Sequence, residues 1–209
     1  MVTANMVKEL REISGAGMLD CKKALTETNG NIEEAITWLR EKGISKAAKK
    51  QTRIAAEGLA LVKTEGNSAV IVEVNSETDF VAKNPEFISL VDIIATKILE
   101  NKVTTMEEAL KLSVKSSTIE DLIVEKTATI GEKLSFRKFA FITKRDDEVF
   151  GSYSHMGGKI VTLVVMEGND QEVAKDIAMQ IAAMHPLYLD RNSVPTDKVE
   201  QERTILTEQ

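Results

Sequence analysis

The spacing of apolar residues changes period near Gly58, and that change sorts the chain into two kinds of structure. Before it, apolar residues recur at helical intervals. Val7, Leu10 and Ile13 follow one helix, which Gly15-Ala16-Gly17 breaks. Cys21, Ala24 and Leu25 continue a second helix, and Asn29-Gly30 forms a turn. Asn31, with Glu34 three residues on, is an N-cap and its partner. Ile32, Ala35, Ile36 and Leu39 then make an i, i+3, i+4, i+7 stripe, and Gly43 is expected to stop this third helix. Residues 1–45 thus read as a three-helix bundle, marginal in size by itself, with 46–55 as a linker or connecting helix.

After Gly58 the residues favour strands. Leu59-Ala60-Leu61-Val62 and Ala69 to Val74 flank Glu65-Gly66-Asn67, a hairpin signal. Pro85 opens a helix through Leu99 with Phe87, Leu90, Val91, Ile94 and Ile98 on one face. Helices are expected near 106–112 and 118–130. Leu134, Phe136, Lys138, Ala140 and Ile142 read as a strand, and Val149–His155 and Ile160–Met166 as two more around Gly157-Gly158. Gln171–Met184 reads as a helix with Val173, Ile177, Ile181 and Met184 inward, and a last polar helix follows Pro195. The expected class is α+β, an antiparallel sheet with helices packed on one side, after the bundle. Two subdomains of this body are expected, 56–144 and 145–209.

Composition narrows the function classes. Hydrophobic content of 43% supports a core, and no run of about 18 apolar residues exists to span a membrane as a helix. Cys21 is the only cysteine, so no internal disulfide forms. A cytoplasmic location is expected, since no signal-like start is present. The net charge is −6, unevenly spread: residues 1–53 carry ten Lys/Arg against seven Asp/Glu, the remainder 17 against 26. An acidic body argues against nucleic acid as a partner. The basic run Lys46-Ala47-Ala48-Lys49-Lys50 with Arg53 lacks interleaved aromatics and reads as a solvated face.

Little points to bond chemistry. No G-x-x-x-x-G-K-[ST] loop is present, and Gly15-Ala16-Gly17 lacks the third glycine and preceding strand of a dinucleotide fingerprint. Cys21, His155 and His185 have no metal-ligand spacing, so no metal or cofactor is expected. The run Thr78-Asp79-Phe80-Val81-Ala82-Lys83-Asn84 is different. It follows a buried-type strand and precedes Pro85, so Asp79 and Phe80 fall at a strand-to-helix turn. A phenyl ring there either folds back on the core or probes a partner's pocket. Met18-Leu19 forms a local staple or an exposed docking patch. His155 closes a strand ahead of the Met156-Gly157-Gly158 turn.

Three stretches decide between these alternatives by resemblance. Val7–Glu12 with Gly15–Leu25, Thr78–Asn84, and Gly151–His155 with Gly157-Gly158 fall in the order seen in the elongation factor Ts family, which the chain resembles over nearly its whole length. The resemblance implies a ubiquitin-associated-like N-terminal bundle and exchange of nucleotide on the GTPase domain of elongation factor Tu, in its GDP-bound and nucleotide-free states. It implies that Thr78, Asp79, Phe80 and Val81 dislodge the partner's Mg²⁺. It gives His155 a place toward the partner's phosphate loop, and Met18 and Leu19 a docking role. Longer family members continue past Gln209, so the second subdomain is expected to be incomplete, with weakened exchange, and a homodimer through the C-terminal part is a further expectation. The competing reading is a non-catalytic scaffold or chaperone-like module, which needs neither Phe80 nor His155 to project.

Overall fold

The computed structural model describes residues 2–208. The bundle contains α1 (Ala4–Ser14), α2 (Met18–Glu27) and α3 (Ile32–Lys50). Thr3 caps α1 by accepting from the Met6 amide, and Gly15 ends it in the left-handed region at φ 64°. Asn31 accepts from the Glu34 amide at 3.2 Å and donates to the Glu34 carboxylate at 2.8 Å, closing the expected cap. Leu10, Cys21, Ala24, Leu25 and Ala35 form a small closed core.

Gly43 does not stop the third helix. α3 runs seven residues further, to Lys50, so half of the expected linker is helical. A β-carbon at Gly43 would lie 3.2 Å from the Ala128 β-carbon. The glycine therefore serves close packing of α3 on a later helix, at the usual propensity cost of about 1 kcal/mol.

The body begins with the hairpin β1 (Glu57–Glu65) and β2 (Ser68–Ser76), followed by α4 (Asp79–Ala82) and α5 (Pro85–Asn101). α6 (Met106–Lys111), a short ladder of β3 (Ser113–Val114) with β4 (Ser117–Thr118), and α7 (Ile119–Ile130) lead to β5 (Ser135–Thr143). β1, β2 and β5 form an antiparallel sheet with β2 in the middle. Leu59 faces Val74 and Leu61 faces Val72 across β1 and β2, and α5 packs over these two strands. Val70, Val72, Val74, Phe87, Leu90, Ile94 and Ile98 make the main core, with Ile119 from α7.

β5 departs from the even alternation expected of it. Val74 pairs with Phe136 but Glu73 pairs with Lys138, so Arg137 is the extra residue of a bulge. Phe136, Phe139 and Phe141, rather than Lys138, Ala140 and Ile142, pack against the core. The displaced cations are used: Arg137 and Lys138 both bind the Glu73 carboxylate, at 2.7 and 3.3 Å.

β6 (Glu148–His155) and β7 (Ile160–Glu167) form a separate antiparallel pair, with α8 (Gln171–Met184) packed on it. The buried face of α8 is Ala174, Ala178 and Ala182, with Ile181 half-buried at its edge; Val173, Ile177 and Met184, expected inward, are exposed. Gly151 explains this: a β-carbon there would fall 2.0 Å from the Ala174 carbonyl oxygen, so strand and helix backbones approach as closely as glycine and alanine allow. α9 (Thr196–Glu208) buries no residue. No helix among the described residues is long and apolar enough to cross a membrane.

Candidate partner-binding site

Sequence places Asp79 and Phe80 at a turn; the structure makes that turn the one-turn helix α4. Thr78 is its N-cap, with extended backbone at φ −124° and ψ 157°, and its hydroxyl accepts from the Val81 amide at 3.4 Å. Val81 and Ala82 are buried in the main core and fix the turn from below. Phe80, on the opposite side, is 81% exposed. The ring therefore does not fold back onto the core, and most of an aromatic surface stands in solvent on a turn fixed from below.

Asp79 does not project freely. Its carboxylate takes a hydrogen bond from Lys83 at 2.8 Å, one helical turn on. That bond and the Lys83 charge hold the Asp79 carboxyl below its usual range and raise the Lys83 ammonium in turn. The Lys159 charge adds to the effect on Asp79, and Glu57 to that on Lys83. Lys159 and Glu57 are themselves paired at 3.1 Å. Four charges of alternating sign thus sit at the start of β1, two from the α4 turn, one from β1 and one from the turn after His155.

That last turn reaches β1 through its backbone. The Ala60 amide donates to the Gly158 carbonyl at 2.8 Å, and a β-carbon on Gly158 would lie 2.8 Å from the Ala60 carbonyl oxygen. Only glycine, here at φ 99°, permits both. Gly158 therefore docks the β6–β7 turn onto the first sheet, while a β-carbon on Gly157 would meet nothing within 4 Å. His155 at the end of β6 is exposed, and its Nδ1 lies 3.1 Å from the Tyr153 hydroxyl with the two rings stacked at 6.0 Å. Residues i and i+2 share a strand face, so Tyr153 limits the orientations open to the imidazole.

Met18 and Leu19 open α2, 61% and 83% exposed. They stand on the bundle, which joins the body where α3 meets α7. Both side chains face solvent rather than the bundle core. Cys21, a turn further along, is fully buried, with its thiol 3.6 Å from the Ala16 carbonyl. Among the described residues, no group of three or more His, Cys, Asp or Glu side chains could hold a metal ion. The basic run is largely engaged inside the chain: Lys46 binds Asp20 at 2.8 Å, Lys50 binds the Gly131 carbonyl, and Arg53 binds Glu77 at 3.2 Å.

Sequence reasoning missed the groups that brace this site. Glu132 accepts from the Thr78 amide at 3.0 Å and from its hydroxyl at 2.7 Å. Glu77 accepts from the Lys133 amide at 2.6 Å, and this bond, with Arg53, holds its carboxyl below the usual range against the opposing effect of burial. The Lys133 ammonium caps the Gln51 and Arg53 carbonyls at 2.7 and 2.9 Å. No local pattern announces contacts between residues more than fifty positions apart.

A helical bundle joined to an antiparallel sheet body that carries an exposed phenylalanine on a braced turn places the chain among α+β proteins. Comparison with protein-family models matches residues 77–209 to the family Elongation factor TS, and the chain belongs to that family. Its members are nucleotide-exchange factors for elongation factor Tu. The matched span contains Thr78, Asp79, Phe80, Val81 and His155; Met18 and Leu19 lie outside it.

Proposed function

We propose that the chain releases GDP from elongation factor Tu by inserting Phe80 beside the partner's Mg²⁺ site. Mg²⁺ demands near-ideal octahedral geometry, so a small displacement of its protein ligands costs much of its binding. Asp79, with Lys83, gives the turn a charged flank. Thr78 and Val81 hold it, one by capping and one by burial. His155 acts from the β6–β7 turn on the side of the partner's phosphate loop, and Met18 and Leu19 dock the bundle on the same GTPase domain. In this reading residues 1–45, 56–144 and 145–209 act as three contact units.

The observation that carries the reading is Phe80, 81% exposed on a turn whose next two residues are buried. A solvent-facing phenyl on a rigid base has its ordering cost already met before the partner arrives.

Energetics require more than one contact. Exchange coupling is reciprocal, so weakening GDP a thousandfold means GDP weakens factor binding equally, about 4 kcal/mol. Burying one Phe supplies about 1.5–3 kcal/mol. At least one other group must therefore distinguish the two states of the partner, and His155 is assigned that part.

The test is the release rate of fluorescent GDP from elongation factor Tu at saturating factor. Phe80→Ala should slow release about ten- to a hundredfold, the rate equivalent of losing that burial. Undiminished release with Phe80→Ala would overturn the wedge, and no acceleration by the unaltered chain would favour a scaffold that only binds.

A further inference from the structure

The structure assigns Glu132 as the positioning residue of the Phe80 turn, an inference that rests on the wedge reading above. Two short segments, Glu77-Thr78 and Glu132-Lys133, are joined reciprocally. The Glu132 carboxylate accepts from the Thr78 amide, and the Glu77 carboxylate accepts from the Lys133 amide. Each is a charge-assisted bond, roughly twice as strong as a neutral one.

Glu132 also decides which way the Thr78 hydroxyl points. Because that hydroxyl donates to Glu132 at 2.7 Å, its lone pairs face the Val81 amide, which it accepts at 3.4 Å. The cap that starts α4 is thus set from outside the turn, through a proton directed at Glu132. Chained bonds of this kind strengthen one another. The long 3.4 Å cap bond would hold Phe80 weakly by itself, and the 2.7 and 3.0 Å bonds to Glu132 supply the firm end of the chain.

Glu132 is in turn anchored. Gly131 ends α7 in the left-handed region at φ 90°, and its carbonyl takes the Lys50 ammonium at the end of α3. Lys133 ties the same segment to the Gln51 and Arg53 carbonyls. The residue that aims the Phe80 turn therefore sits on the bracket that joins the bundle to the body. A partner that grips Met18 and Leu19 meets Phe80 at a preset place.

A double-mutant cycle on GDP release from elongation factor Tu tests this, using the whole chain with Glu132→Ala, Phe80→Ala and both. Glu132→Ala should lower the maximal release rate by about tenfold, less than the full loss of the ring, because the contact group is still present but misplaced. It should leave the half-saturating factor concentration near that of the unaltered chain. In the Phe80→Ala background it should cost nothing further, because its effect passes through that ring. Glu132→Gln keeps one acceptor and the side-chain volume, so its rate should fall between the two; it replaces Glu132→Ala in the cycle should the alanine variant not fold. A slow Phe80→Ala with an unimpaired Glu132→Ala, or with fully additive losses, would overturn the role of Glu132 and leave the wedge standing. A normal rate for Phe80→Ala would overturn both.

Discussion

α5 and α8 each lie on an antiparallel sheet, yet they bury opposite kinds of residue. α5 turns Phe87, Leu90, Val91, Ile94 and Ile98 inward. α8 turns in three alanines and leaves Val173, Ile177, Met179 and Met184 at least 39% exposed. Both sequences show large apolar residues at helical spacing. What separates them is the strand beneath. β2 presents Val70, Val72 and Val74, which hold a helix at ordinary side-chain distance. β6 presents Gly151, and the Thr162 hydroxyl of β7 donates to the Ala178 carbonyl at 2.7 Å. Such contact needs a helix backbone within reach of the sheet, which only small residues allow. Periodicity therefore shows that a helix has an apolar face; the smallest residues on both elements show which face is inside.

The largest test of this contrast is Phe87→Ala. Phe87 is fully buried, and its removal should destabilise the body by about 3–5 kcal/mol, read as a shift in the denaturant midpoint. A cost under about 1 kcal/mol would mean the α5 side is not the denser core. Gly151→Ala comes next. Its methyl meets the Ala174 backbone, which has no rotamer to move, so a loss of about 2–3 kcal/mol is expected. Faster hydrogen exchange confined to α8 amides would locate the damage; unchanged protection there would refute the close approach.

The same distinction separates what was legible in the sequence from what was not. Features set within a few residues could be read: the Asn31–Glu34 cap, the hairpin at Glu65-Gly66-Asn67, and the helix opened by Pro85. Features set by a distant neighbour could not. Gly43 looks like a stop signal until Ala128 is seen beside it, and the bulge at Arg137 reassigns three phenylalanines that even alternation would divide between two faces. The site divides in the same way. An acid beside a phenylalanine before Pro85 marks a turn locally, but the reciprocal carboxylates of Glu77 and Glu132 meet across more than fifty residues. The unread part of each site residue is therefore its bracing.

The smallest expected effect gives the sharpest comparison, because it uses one substitution at two positions. Valine to threonine exchanges a methyl for a hydroxyl at nearly constant volume. Helix propensity changes little, since both are β-branched. At Val91 on α5, which is 2% exposed, the hydroxyl enters the core and its desolvation should cost about 1–3 kcal/mol, softened if it donates to the carbonyl one turn back. At Val173 on α8, which is 45% exposed, the hydroxyl keeps its water and the change should stay within about 0.5 kcal/mol. Equal costs at the two positions, measured by urea denaturation, would mean that Val173 is covered in solution and that the alanine face is not the only buried side of α8. Unequal costs would tie the burial of each helix to the residues of the strand below it, since the chemical change is the same at both positions.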